Sequence, residues 1–364
     1  MRPCSRREIA ISAGIGQNET AGRAGHAGAS RRQVLAIGAG AALAAPLMAR
    51  EAFAAAPTRL YPDPLFGIVL DGDAAVATGY HGSVAVSSSV AGGFTAVASG
   101  TKDLLRRVAR RPNGGYVAVS HRGRILESNP QGREWRTIFE VPGLYLRAVD
   151  FASASVGWAV GHDGTILMTR DGGKTWQQNE IEDYTGRDKP RLSGIAALDE
   201  TRAVAVGEFG VVAFTRNAGQ NWNVVTEQVY PTLLDVSISG DRGYAVGLNG
   251  TLLALTQQGD GTWKVDVQPT NTQAHMLAVA VAAGGKSALV AGNGMLLTLG
   301  QSGFQPAAIS SKIDLNYLWL GGAALGDNGR AVVVGQGGLI LAASATTETF
   351  EPVAITADAQ EVTQ

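Results

Sequence analysis

The chain has 364 residues, 45% of them hydrophobic and only 17% charged, with a formal net charge of −1. Globular chains carry about 25% charge, so this composition excludes a disordered chain, a coiled coil and a general nucleic-acid binder. Its 48 glycines have no period of three, which excludes collagen and instead signals many turns between short strands.

Residues 1–56 read as a presequence. Ser30-Arg31-Arg32-Gln33-Val34-Leu35 precedes a mild apolar run over 36–48, followed by Ala52-Phe53-Ala54, a small-x-small cleavage pattern. The run is too short to span a bilayer well, and the segment resembles a twin-arginine export signal. Cys4 is the only cysteine, and no lipobox precedes it. Cleavage would leave a chain without disulfides, thiolate chemistry or Cys-ligated zinc, carrying a net charge of −5.

Beyond the presequence one unit recurs. A short apolar strand runs into a G-x-x-G turn, a second strand follows, and an aromatic closes the unit. The second turn glycines are Gly82, Gly123, Gly164, Gly210, Gly250, Gly294 and Gly338, spaced 40 to 46 residues apart. The trailing aromatics are Phe94, Trp135, Trp176, Trp222, Trp263, Phe304 and Phe350. A further apolar strand lies upstream of each turn, at 66–69, 105–108, 146–149, 192–195, 233–236, 276–279 and 317–320. Four strands per unit at this period predict an all-β, seven-bladed β-propeller of antiparallel blades over 57–356. The blades fall near 63–99, 103–140, 144–182, 191–227, 232–269, 275–311 and 316–356, and a flexible tail follows over 357–364. One blade cannot cover both of its faces, so neighbours must do so around a closed ring. Each trailing aromatic is expected to fill the seam with the next blade. The last unit supplies its own outer strand over 350–355, so closure needs no swapped N-terminal strand.

Thr169-Arg170-Asp171-Gly172-Gly173-Lys174-Thr175-Trp176 looks like the Asp-box. Thr215, Asn217, Gly219 and Trp222 mark a weakened copy. Thr169, Asp171, Gly173, Thr175 and Trp176 are read as structural, the carboxylate holding backbone N–H groups of the hairpin and the Trp anchoring the outer strand. The stretch 146–176, with Leu146 and Val149 followed by G-W-A-V-G-x-x-G-T-I-L-x-T-x-D-G-G-K-T-W, resembles the photosystem II stability and assembly factor family. The resemblance covers 58–356 as repeats and is close only in blades three and four. It implies an exported propeller of the periplasm or thylakoid lumen that helps a membrane protein complex assemble without catalysing a reaction.

No catalytic residue, cofactor or metal site stands out. A sialidase-like enzyme would need an arginine triad and a Tyr–Glu pair, and Tyr61-Pro62-Asp63-Pro64 lacks the arginine expected before a first box. His121 and His162 share a turn position and His81 is offset by one, which reads as polar decoration of a ring face. Trp319 could face the channel, but no set of carboxylates accompanies it. The long charged loop over 182–191 joins these turns on the same face.

Charge is uneven. Residues 102–147 hold ten basic and four acidic residues, and nine of the ten are Arg, the better bidentate partner for carboxylates. Arg106, Arg107, Arg122, Arg124, Arg136 and Arg147 are the candidate partner-binding residues. The partner expected is a membrane protein or its exported loop, with a peripheral membrane contact as a variant, no nucleic acid, and the propeller itself a monomer. Arg106 and Arg147 occupy one repeat position, where the other blades carry Phe66, Ser193, Leu234, Leu277 and Leu318. Either they serve a partner or they bridge blades through Asp103, Glu134 or Asp150. The alternative function is a secreted glycan-binding or glycosidase-like propeller.

Overall fold

The computed structural model describes residues 63–112, 114–181, 184–225 and 231–357. The presequence and most of the C-terminal tail lie outside these residues. Seven antiparallel sheets follow one another along the chain. Their strands are Leu65–Asp71, Ala74–Gly79, Val84–Ser87 and Phe94–Val97 in blade one, and Leu105–Arg110, Tyr116–Ser120, Arg124–Ser128 and Trp135–Glu140 in blade two. Blade three has Leu146–Phe151, Gly157–Gly161, Ile166–Thr169 and Gln177–Asn179, and blade four has Leu192–Ala197, Ala203–Gly207, Val212–Thr215 and Asn223–Val224. Blade five has Leu233–Ser239, Arg242–Gly247, Leu252–Gln257 and Trp263–Val267, and blade six has Met276–Val281, Ala288–Gly292, Met295–Gly300 and Gly303–Pro306. Blade seven has Leu320–Leu325, Ala331–Gly335, Ile340–Ala343 and Glu351–Pro352. Each inner strand packs on the inner strands of both neighbours, and the seventh packs on the first. The protein is thus a closed, seven-bladed β-propeller.

Burial follows the need that one blade cannot meet alone. The second strands are the most enclosed, with Tyr116–Ser120, Gly157–Gly161, Ala203–Gly207 and Ala331–Gly335 buried at every residue, whereas the outer strands Gln177–Asn179 and Glu351–Pro352 lie largely in solvent. A sheet buried on both faces reads as a continuous apolar run, as in Val332-Val333-Val334.

The trailing aromatics fill the seams, but with the preceding blade. Trp176 of blade three packs with Ala109, Val117 and Val119 of blade two, Trp222 with Trp158 and Met168 of blade three, and Phe350 with Leu289 and Ala291 of blade six. Phe94 lies against Val332, Val334 and Ile340 of blade seven, so the closing seam is built like the others. Side chains alternate between faces with a period of two. The repeat therefore fixes that the aromatics share a face, but not which neighbour that face meets.

The seventh inner strand starts at Leu320, three residues later than the sequence pattern suggested, because Leu315–Tyr317 forms a short 3-10 turn capped by Asp314. The predicted outer strand over 350–355 is also split. Glu351–Pro352 pairs within blade seven, and Ile355–Thr356 crosses to run parallel to Phe94–Val97 as a fifth strand of blade one. The Phe94 amide donates to the Ala354 carbonyl. The same device joins blades six and seven, where the Phe350 amide donates to Ala308 O and Ile309 pairs in parallel with Phe350. Both crossings follow one short repeat, Phe304-Gln305-Pro306-Ala307-Ala308-Ile309 and Phe350-Glu351-Pro352-Val353-Ala354-Ile355. The proline suits an edge position, since it has no ladder donor to lose.

The hairpins between third and fourth strands lie at the opposite ring face from the G-x-x-G turns. In blade three the Asp171 carboxylate accepts from the Thr169 hydroxyl (2.9 Å), the Thr175 amide (2.9 Å) and the Thr175 hydroxyl (2.6 Å), and the Trp176 indole donates to Gly173 O at 3.1 Å. Burial alone would raise the Asp171 pKa, but these hydrogen bonds outweigh it and hold the carboxyl below its ordinary value. In blade four Asn217 accepts from the Asn221 amide at 3.0 Å, yet the Trp222 indole N–H is buried without a partner. The Gly219 carbonyl that would serve it is taken by the Asn179 side chain of blade three. Blade two carries a third turn of this kind, with Asn129 accepting from the Arg133 amide (3.0 Å) and the Trp135 indole donating to Gly132 O at 2.7 Å.

These turns generate an ordered set of stabilities. Trp176→Ala should cost about 3–5 kcal/mol and Asp171→Ala about 1–3 kcal/mol. Trp176→Phe should cost about 1 kcal/mol more than Trp222→Phe, because only the former discards a hydrogen bond. Urea unfolding of the variants reads all of these, and equal costs for the two Trp→Phe changes would contradict the assignment.

Candidate functional site at the channel mouth

All seven inner strands break register immediately after their first residue, between Leu65 and Gly67, Leu105 and Arg107, Leu192 and Gly194, Leu233 and Asp235, Met276 and Ala278, Leu320 and Gly322, with Leu146 and Ala148 opposite Gly161 and Val160. A bulge leaves one residue out of the ladder and bends the strand. The seven extra residues are Phe66, Arg106, Arg147, Ser193, Leu234, Leu277 and Gly321. Blade seven places Gly321 at this position instead of the expected Leu318. Phe66, Arg106, Ser193, Leu234, Leu277 and Gly321 line a cavity of about 280 Å³ at the ring axis, together with Arg107 and Trp319.

The cavity opens on the face of the G-x-x-G turns, where every inner strand begins. There the turns meet the connections between blades: the Gly82 amide donates to Asp103 O at 2.6 Å and the Gly250 amide to Ala274 O at 3.0 Å. Gly82 and Gly250 have φ of +73° and +70°, and a Cβ on either would come within 1.9 Å of the Thr101 or Thr272 carbonyl. Glycine is required there for both reasons.

Arg107 closes the floor of the cavity. Its Nη1 donates to Phe66 O (2.8 Å) and Gly321 O (3.0 Å), and its Nη2 lies 3.0 Å from the Asp235 carboxylate. Asp235 in turn accepts from the Val279 amide at 3.0 Å. Arg106 sits 5.5 Å over the Phe66 ring, which stacks on Trp319 at 5.0 Å. Among the described residues neither Arg106 nor Arg147 has a carboxylate partner, and the Nε of Arg147 is buried without any hydrogen bond. Burial, then the neighbouring arginines, lowers Arg106 to about 10 and Arg147 to about 9. Both remain cationic at neutral pH, so two uncompensated charges are held at the mouth. Arg191 stands beside them, paired with Glu208.

Neither guanidinium bridges blades through Asp103, Glu134 or Asp150. Asp103 is held by Arg124 (3.0 Å), Arg122 (3.8 Å) and the Ser120 hydroxyl. Asp150 accepts the Ala197 amide of blade four at 2.8 Å and the Phe151 amide at 2.9 Å, and burial pushes its carboxyl up to about 6. The six arginines singled out in the sequence thus separate. Arg106, Arg107 and Arg147 gather on the axis; Arg122 and Arg124 lie at the turn of blade two; Arg136 lies on that blade's outer strand, paired with Glu127 at 2.5 Å.

The histidines do not converge. His121 accepts from the Leu104 amide at 3.1 Å, His81 lies 3.2 Å from Asp63, and His162 stacks on Tyr145 at 5.1 Å. Burial, then Arg147 and Arg191, lowers the pKa of His162. Among the described residues no three His, Cys, Asp or Glu side chains are grouped to hold a metal. What sequence reasoning missed was the exposed aromatic rim of this face, Tyr80, Tyr145, Phe209 and Tyr317, the last 85% exposed. The signal was present, since Tyr80 and Phe209 fall inside the G-x-x-G turns.

Two stability experiments follow from these charges. Arg147→Met keeps the aliphatic stem and removes an uncompensated charge, so it should stabilise the ring by about 1 kcal/mol; a loss of that size in a urea titration would contradict the assignment. Native Asp150 holds a proton that the unfolded chain releases near its ordinary pKa of 3.8. Its contribution to stability therefore falls as pH rises from about 4 to 6. Asp150→Asn should remove that slope, so the wild-type-minus-variant stability difference should itself fall between about pH 4 and 6.

The sequence profile of the family described as Photosynthesis system II assembly factor YCF48 matches residues 129–231. The chloroplastic photosystem II stability/assembly factor HCF136 of Arabidopsis thaliana is 24% identical over 162 residues, covering 43% of this chain and 39% of that protein. The chain thus spans less than half the length of this relative. YCF48 from Cyanidioschyzon merolae has the same fold at a TM-score of 0.61 and 14% identity, over 78% of this chain and 96% of that one. A structure of YCF48 bound to D1 peptide aligns at a TM-score of 0.59 and 16% identity, over 78% and 92% of the two chains. With its repeats and its closed ring, the chain is a seven-bladed propeller that is similar over its third and fourth blades to the photosystem II assembly factors YCF48 and HCF136.

Proposed function

We propose that this chain is an exported, non-enzymatic propeller that binds an acidic segment of a membrane protein and assists assembly of a membrane complex. The observation that carries the reading is the excess of arginine on and beside the turn face. Arg106 and Arg147 stand without carboxylates at its centre, while the Arg122 side chain is 68% exposed at its edge. Arg124 stands beside it, shared between Asp103 and Glu140, whereas Arg136 lies toward the opposite ring face and is paired with Glu127. Cations held at a cost to stability are typical of sites kept for a ligand. A protein of the same fold, YCF48, is bound to a D1 peptide, and a peptide of a membrane protein is the partner this likeness favours here. A glycan-cleaving propeller gains no support from the cavity, whose lining carries no carboxylate, whereas that chemistry needs two. Export to the periplasm or lumen rests on the presequence.

The test is complementation. Cells lacking the protein should accumulate less of a membrane complex on native gels, and the wild-type chain should restore it. Arg122→Glu should keep the wild-type stability to within about 0.5 kcal/mol yet fail to restore the complex. Partner retention should also fall as salt rises above the physiological range, where screening acts over about 8 Å. Normal complex levels without the protein, or full rescue by the reversed variant, would refute the reading.

A further inference from the structure

The axial cavity has the makings of a ligand site that a surface patch lacks. One side is charged through Arg106, and Arg147 of the next blade, at the same bulge position, stands outside the lining but near enough for the two charges to repel. Phe66 carries Arg106 over its ring and stacks on Trp319, and the wall across from them is apolar, through Leu234 and Leu277. The floor is sealed by Arg107, whose donors are already committed to Phe66 O, Gly321 O and Asp235. A ligand entering from the turn face therefore meets free guanidinium donors only at the mouth. At about 280 Å³ the cavity lies at the small end of ligand pockets, which run from about 300 to 1,000 Å³. An Arg pair desolvated against an aromatic ring favours a planar, bidentate acceptor over a point charge.

We propose that this cavity binds a carboxylate carried on a compact apolar group, the carboxylate accepting from Arg106 and Arg147 at the mouth while the apolar group lies on Leu234 and Leu277. Binding supplies the anion that these two arginines lack, so it stabilises the ring as well as the ligand. The inference does not rest on the assembly role. It concerns the axis, and the test above concerns the rim.

Such a carboxylate can come from a free acid or from the end of a polypeptide chain. The probes are phenylacetate, its neutral isostere phenylacetamide, and the acetylated dipeptide Ala-Phe with a free or amidated C-terminus. Each is titrated into the full chain by calorimetry and by thermal unfolding. Phenylacetate or the free-acid dipeptide should bind saturably and raise the melting temperature, while the matching amides should bind at least tenfold more weakly. Tighter binding of the dipeptide identifies a chain end as the source, and tighter binding of phenylacetate identifies a free acid. Arg106→Gln and Arg147→Gln should each weaken binding tenfold or more while melting no lower than wild type. Arg147→Lys should recover only part of the affinity, and Lys286→Gln, exposed and away from the axis, should lose none. Equal binding of acid and amide, affinity unchanged in both Gln variants, or no saturable binding up to about 10 mM of either acid would overturn the proposal.

Discussion

A single guanidinium sets the geometry of the axis. Seven bulged strands converge there, and each bulge turns main-chain carbonyls out of the ladder, where they need donors. Arg107 supplies several at once, reaching carbonyls of blades one and seven and the carboxylate of blade five from its place in blade two. The neighbouring strands admit this only because they are thin. A Cβ on Gly322 would come within 2.7 Å of Phe66 O, and one on Gly67 within 3.1 Å of the Arg107 Cα. With the throat occupied by a paired arginine, the residues one place earlier form the mouth, and two of them are arginines with nothing to neutralise them.

The two ends of the ring consequently do different work. At one, Asp171, Asn217 and Asn129 spend their oxygens on the backbone of their own hairpins. Their aromatics drive into the preceding blade, so that end is consumed by stability. At the other, tight turns with left-handed residues such as His81, Asp163 and Phe209 hold side chains outward, and the charges there are incompletely matched. A propeller can vary its turn face freely because the packing that closes the ring is placed elsewhere.

Blade number, strand number and the Asp-box turn of blade three were all legible in the sequence, because each repeats a local rule seven times or follows side-chain chemistry. The direction in which Phe94, Trp176 and Phe350 pack was not, since alternation along a strand is silent about what faces it. The position of Arg106 and Arg147 in a shared register was legible as well. Their place on the axis was not, because it depends on a bulge that no residue type announces. Blade seven misled by one turn: Leu318 fits the apolar pattern, but Asp314 caps a 3-10 turn that delays the strand to Leu320. The crossing at Ile355 was written in the repeated Phe-x-Pro-x-Ala-Ile, which becomes visible only when blades six and seven are aligned on their prolines.

That crossing gives the ring a direction in time. Phe94 and Thr356 touch across 262 residues of chain, so blade one can be made, and can even fold its first four strands, long before the strand that seals its outer edge has left the ribosome. Until then the main-chain groups of Phe94–Val97 form an open edge, the template on which foreign strands add. The late contact is also among those with the longest loops to close. The seam between the last blade and the first is thus where the hoop is fastened last and where it comes undone first.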